Sequence, residues 1–181
     1  YRSNPFNRFE NMADKFFKQL ELNKETIVLA RNYDEIVENE KNNKISAILS
    51  IEEGGAVNGT LENLHKVYKK GVRLITLTWN YENEIGYPHS QIGYETTKLK
   101  PFGVEIVEAM NELGILVDVS HLNDGGFYNV AEISKKPFIA SHSNARSITD
   151  VTRNLTDDMI KVLANSGGIT GLNFCKFLLG D

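Results

Sequence analysis

A few side chains in this sequence have types and spacing that suit chemistry: two adjacent glutamates, two histidines in a repeated motif, and one arginine. The run ILSIEEGGAV, residues 48–57, ends an apolar segment in Glu52 and Glu53, followed by two glycines. A carboxylate closing a buried strand needs a partner, because burying a bare charge is costly. Ser-His-x-Asn occurs twice, as Ser120-His121 with Asn123 and as Ser141-His142 with Asn144. The two copies lie about one short βα unit apart, which sets two imidazoles on neighbouring strand ends. Two imidazoles and a carboxylate at one mouth form the donor set that suits zinc and related divalent ions. Arg153, in DVTRNLTDD, is of the type that holds a carboxylate by a bidentate pair. Its alternative is a salt bridge to Asp150 or Asp157. Asp118 reads either as an orienter of a ligand histidine or as a buried structural acid.

These residues sit at the ends of elements that alternate along the chain. Short apolar runs at 26–30, 45–51, 72–78, 115–120, 137–141 and 168–174 predict strands. Between them, the periodicity predicts helices over 33–41, 61–71, 102–114, 126–134 and 157–168, after a leading helix at about 6–21. In that first helix Phe6, Phe9, Met12, Phe16 and Leu20 share one face. Gly71, Gly114 and Gly167 stand at helix C-termini, and Thr156 before Asp157 and Asp158 reads as an N-cap. Strands alternating with helices mean a parallel sheet. No GxGxxG or Walker A pattern follows the first strand, so a (β/α)8 barrel of the TIM type is favoured over a doubly wound nucleotide-binding sheet.

In such a barrel the chemistry lies where strands end and βα loops begin. Alternation along 45–51 puts Ile45, Ala47, Leu49 and Ile51 on the helix-facing side. Ser46, Ile48, Ser50 and Glu52 then face the interior, and Glu53 points away. The same test is ambiguous for His121. His65 falls mid-helix and reads as a solvated residue. His89 falls in the long loop 79–98, whose Trp79, Tyr81, Tyr87 and Tyr94 either wall a pocket or pack the loop onto the rim. Cys175 reads as a small core residue.

Composition narrows the classes. The chain has 181 residues, a net charge of −4 and 24% charged residues, ordinary for a globular protein. Lys and Arg are scattered, so no nucleic-acid partner is expected. One cysteine makes neither an internal disulfide nor a cysteine-rich zinc site. A cytoplasmic setting is the expectation, with no membrane span. The chain is expected to be a single domain over 1–181.

The segments SIEEGGAV, GVRLITLTWN, GILVDVSHLN, KPFIASHSNAR, TRNLTDDMI and GGITGLNF resemble, in order and spacing, the membrane dipeptidase (renal dipeptidase) family of zinc peptidases, in its bacterial form. The resemblance implies a (β/α)8 barrel that hydrolyses dipeptides with a water activated at a two-zinc site. It implies Glu52 as the bridging ligand, His121 and His142 as ligands of one zinc, and Arg153 as the binder of the substrate carboxylate. The His-x-Asp pair for the other zinc is expected before residue 1, and the catalytic acid after residue 181. The chain is then the central part of a barrel. A histidine that several members carry after TLT is replaced here by Trp79. A homodimer is allowed rather than required. The alternatives are another metal-dependent amidohydrolase on the same barrel, or a non-catalytic binding protein on a decayed peptidase scaffold.

Overall fold

The leading helix shows how the packing is chosen. In the computed structural model, which describes residues 4–180, α1 runs Pro5–Leu22 with Asn4 capping Phe6 N. It buries Phe6, Phe9 and Ala13. Met12, read as part of the same face, is 61% exposed. The stripe advances by four after Phe9, so the small Ala13 faces the core and Met12 turns to solvent.

The remaining elements follow in order: β1 (Ile27–Leu29), α2 (Tyr33–Lys41), β2 (Ile45–Ala47), β3 (Leu49–Glu52), a 3-10 turn (Gly54–Val57), α3 (Leu61–Lys70), β4 (Val72–Thr76), α4 (Pro101–Leu113), β5 (Leu116–Asp118), α5 (Asp124–Ile133), α6 (Asp157–Asn165) and α7 (Lys176–Leu179). All strand pairing is parallel, β1 with β2 and β3–β4–β5 in that order. The helix caps hold as expected. Thr156 accepts from Met159 N, and Gly71 and Gly114 close α3 and α4 in the left-handed conformation. Each polar N-cap is worth about 1 kcal/mol.

Three strand expectations need correction. The run 45–51 is not one strand. It breaks at Ile48, and the register shifts between Leu49 and Ser50. Ile45, expected on the covered side, is exposed, whereas Ile51 is buried. Parity therefore holds only from Leu49 onward. The segments 137–141 and 168–174 form no named strand. They continue the parallel order through the bridges Asp118↔Ile139 and Ala140↔Thr170, and prolines and glycines (Pro137, Gly168, Gly171) interrupt longer ladders.

Val67, Ile75, Ile106, Met110, Val117 and Phe127 form the centre of one apolar cluster, between the helices and the outer face of β3–β5. The opposite face carries Glu52. Cys175 is exposed at the N-cap of α7, not in the core. The loop 79–98 lies on the first turns of α4 and α5. A Cβ on Gly103 or Gly125 would stand 2.1 Å from Ile85 O or 2.2 Å from Thr96 C, so only glycine allows that approach. The side chains of Asn83 and Asn123 tie the loop down by its backbone, Asn123 Nδ2 donating to Tyr94 O and Thr97 O. Among the described residues no helix is long and apolar enough to cross a membrane.

Candidate metal centre

The parallel register brings the site together. Glu52 pairs with Thr76, Thr76 with Asp118, and Asp118 with Ile139. The ends of β3, β4 and β5 and the bridged segment at Ile139 are thus level. His121 and His142 each follow their level residue by the same step, and their separation of 21 residues is the offset of that register. The Ser-His repeat is therefore a consequence of two adjacent βα turns at equal height. His121 leaves the strand with φ 70°. This left-handed residue explains why alternation did not place it: the backbone has already turned.

The donor atoms converge. His121 Nε2 and His142 Nε2 lie 3.0 Å apart, and Glu52 Oε1 lies 3.4 Å from the first and 3.3 Å from the second. Ligand bonds of about 2.0–2.1 Å at a tetrahedral angle separate donor atoms by roughly 3.3 Å. The triangle has the dimensions of one face of such a shell. Among the described residues it is the group of His, Cys, Asp and Glu side chains close enough to share one ion. Glu53 takes a different role, as expected. Its carboxylate caps the 3-10 turn at Gly55 N and accepts from Asn83 Nδ2.

The ring hydrogen bonds agree with the donor geometry. His121 Nδ1 faces Asn80 Oδ1 at 3.2 Å and His142 Nδ1 faces Ser141 Oγ at 2.6 Å. The Asn80 amide oxygen at Nδ1 leaves the His121 lone pair on Nε2, whereas the Ser141 hydroxyl can accept from His142 Nδ1 or donate to it. Where both Nε2 atoms carry lone pairs, they repel at 3.0 Å unless a cation or a shared proton stands between them. Burial pushes the His121 imidazole down to about 3, helped by Arg153 and His142. It is held neutral, which is the form that binds metal.

Arg153 is 7% exposed. Its guanidinium donates to Ser143 Oγ at 2.6 Å and to His142 O at 2.9 Å. It pairs with neither Asp150 nor Asp157. Asp157 instead accepts from Ser147 Oγ. Burial lowers the Arg153 guanidinium to about 10, against the pull of Asp118 and Glu52. Arg153, Ser143, Thr152 and His121 line one small cleft. A buried cation held only by neutral oxygens beside a metal-type triangle is set up to receive an anion.

A model of the membrane dipeptidase family, peptidase family M19, matches residues 3–181. The chain belongs to that family. A dipeptidase from Schizosaccharomyces pombe described as uncharacterized is 36% identical over 143 residues, 78% of this chain and 34% of the relative. Dipeptidase 3 of Mus musculus is 33% identical over 130 residues, 70% of this chain and 26% of its own. A metallo peptidase from Rhodobacter sphaeroides, liganded with a phosphinate mimic of the dipeptide L-Ala-D-Ala, superposes with a TM-score of 0.87 at 30% identity over 93% of this chain and 49% of that one. The chain spans about half the length of that M19 structure, and less of the two curated dipeptidases. The parallel strands and their helices are a portion of the family's (β/α)8 barrel.

Three residues of the loop 79–98 reach the site. The His89 ring lies 6.2 Å from that of His121, and its Nδ1 meets Thr152 Oγ1 at 3.1 Å. Burial, then Arg153 and Arg146, push its imidazole down to about 4. Asn80 holds the His121 ring. Trp79 flanks it, with ring centroids 6.4 Å apart. Tyr87 and Tyr94 stack on each other at 4.5 Å, which fits their packing of the loop. Asn80 follows the strand motif directly, so its place at a βα turn was the one available signal.

Proposed function

We propose that the protein hydrolyses dipeptides, with Glu52, His121 and His142 as zinc ligands and Arg153 as the anchor of the substrate's free carboxylate. The observation that carries this is the triangle of Nε2, Nε2 and Oε1 next to a buried arginine without an acidic partner. A divalent ion bound there supplies an acidified water and polarises a peptide carbonyl. The chain's own residues do the rest. Asn80 and Ser141 orient the two imidazoles with their lone pairs inward. Arg153 pairs with the carboxylate and limits the substrate to short peptides. Trp79, beside His121, restricts the open side.

In this reading residues 1–181 are the central part of one catalytic domain, and the complete site would hold two zinc ions with Glu52 among their ligands. The family and the Rhodobacter sphaeroides structure support it, and they make L-Ala-D-Ala a first substrate to test. The experiment is zinc-loaded full-length protein with Ala-Ala, L-Ala-D-Ala and their C-terminal amides. Release of free amino acids from the acids but not the amides is expected. Turnover of N-acyl amino acids or cyclic amides instead would favour another amidohydrolase, and binding without turnover a decayed scaffold.

A further inference from the structure

Asp118 is fully buried and takes four hydrogen bonds. Its Oδ1 accepts the backbone N–H of Ser120 and of Ser141, both at 2.9 Å. Its Oδ2 accepts the hydroxyl of Thr76 at 2.6 Å and that of Ser141 at 2.5 Å. A carboxylate has no proton to give, and a serine hydroxyl has one. Ser141 therefore commits its proton to Asp118. The same Oγ lies 2.6 Å from His142 Nδ1, and toward that atom only an acceptor lone pair is left. The contact is a hydrogen bond only when Nδ1 carries the imidazole proton. The lone pair of His142 then sits on Nε2, the atom in the donor triangle.

We infer that Asp118 is a positioning residue: through the hydroxyl of Ser141 it fixes His142 in the Nδ1–H tautomer and so presents Nε2 as a ligand. The consequence for metal binding rests on the zinc reading proposed above, but the tautomer does not. The relay has a direction, because every donor in it points toward Asp118. The two histidines are held differently. His121 meets an amide oxygen directly, whereas His142 depends on a rotatable hydroxyl that has no preferred sense of its own. Asp118 supplies that sense. It also ties the two motifs together, since its Oδ1 binds the backbone of Ser120 and of Ser141, and Ser120 Oγ accepts from His142 N at 3.1 Å.

Asp118→Asn is nearly isosteric and inverts the relay. The amide oxygen stays on the two backbone N–H groups, and the NH2 group now donates to Ser141 Oγ. The nearest acceptor left for the Ser141 hydroxyl is then His142 Nδ1 at 2.6 Å, ahead of Ser120 Oγ at 3.4 Å; donation there moves the ring proton to Nε2 and blocks the ligand atom. Ser141→Ala cuts the relay without inverting it, and Ser141→Thr keeps the hydroxyl. The test uses full-length, metal-free protein labelled with 15N-histidine, with His142 assigned by its absence in His142→Gln. Long-range 1H–15N spectra are expected to show Nδ1–H in the wild type and Ser141→Thr, Nε2–H in Asp118→Asn, and a mixture in Ser141→Ala. Zinc affinity, by competition with a chromophoric chelator, is expected to fall about 10–100-fold in Asp118→Asn, less in Ser141→Ala, and not at all in Ser141→Thr. An Nε2–H tautomer in the wild type, or one tautomer shared by wild type and Ser141→Ala, overturns the inference even where Asp118→Asn fails to fold. Tautomers that follow the scheme in a protein that binds no zinc would sink the zinc reading and leave the relay standing.

Discussion

Replacing Arg153 by methionine separates what this side chain does for substrate from what it does for the fold. Methionine keeps an unbranched apolar stem in the same space and removes the guanidinium. The depression of Arg153 to about 10 corresponds to about 3 kcal/mol set against the buried charge. That cost disappears in the variant. The hydrogen bonds to Ser143 Oγ and His142 O are lost as well, at about 1.5–3 kcal/mol each because the donor is charged. The two effects largely offset each other, so stability is expected to fall by no more than about 3 kcal/mol. Substrate binding behaves otherwise. Loss of one partner from a desolvated carboxylate–guanidinium pair costs about 3 kcal/mol or more, a rise of roughly 100-fold or more in KM. The assay is urea denaturation alongside steady-state hydrolysis of Ala-Ala and its C-terminal amide. The wild type is expected to reject the amide, and Arg153→Met to treat acid and amide alike. An unchanged KM for the acid, or a loss of several kcal/mol in stability with KM intact, would make Arg153 a structural residue and refute the reasoning.

Three further outcomes follow from the same geometry. His121 and His89 are held at about 3 and about 4 in the fold, below the unfolded value of about 6.5, so between those limits the unfolded chain binds more protons and stability rises with pH. Metal-free protein is expected to lose roughly 2 kcal/mol between pH 7 and pH 5, after discounting for partial exposure; a flat urea midpoint over that range would contradict it. Gly171→Ala places a Cβ 2.1 Å from Ser141 O and is expected to cost roughly 1–3 kcal/mol and to weaken zinc binding by displacing the His142 turn, whereas Gly114→Ala, with open space and φ 75°, costs about 1 kcal/mol and leaves zinc binding alone. Chelation is expected to abolish hydrolysis and lower Tm, with both restored by added zinc; activity that survives exhaustive chelation would exclude the metal role of the Glu52–His121–His142 triangle.

The legible and the illegible parts of this protein divide along physical lines. Helices were read well because the 3.6 period, the caps at Thr156 and the glycines at 71 and 114 are local signals. Glu52 was legible because alternation holds over Leu49–Glu52, and the Ser-His repeat because the register copies itself from one turn to the next. The break at Ile48 was not, since a register shift is set by the neighbouring strand and leaves no mark in an apolar run. His121 resisted parity because a left-handed backbone lies outside any alternation. His89 was undervalued because its partner Thr152 stands 63 residues away across a loop held by asparagine side chains. Cys175 was misplaced because residue type alone does not report which helix end it caps.

The level strand ends also set an order of events. None of the donor atoms in the triangle has another of the three nearby in sequence, so this triangle offers no local chelate while the chain is growing. At ordinary synthesis rates on the order of ten seconds separate the emergence of Glu52 from that of His142. Throughout that interval a transition metal meets only isolated side chains, which bind it weakly. The three donors come together only once β3, β4 and β5 have docked in parallel and the following turn has closed over them. A metal held by this triangle would then be selected by a finished scaffold of fixed spacing and not by a flexible chain that accepts whichever ion binds first. Loading would become a post-folding step.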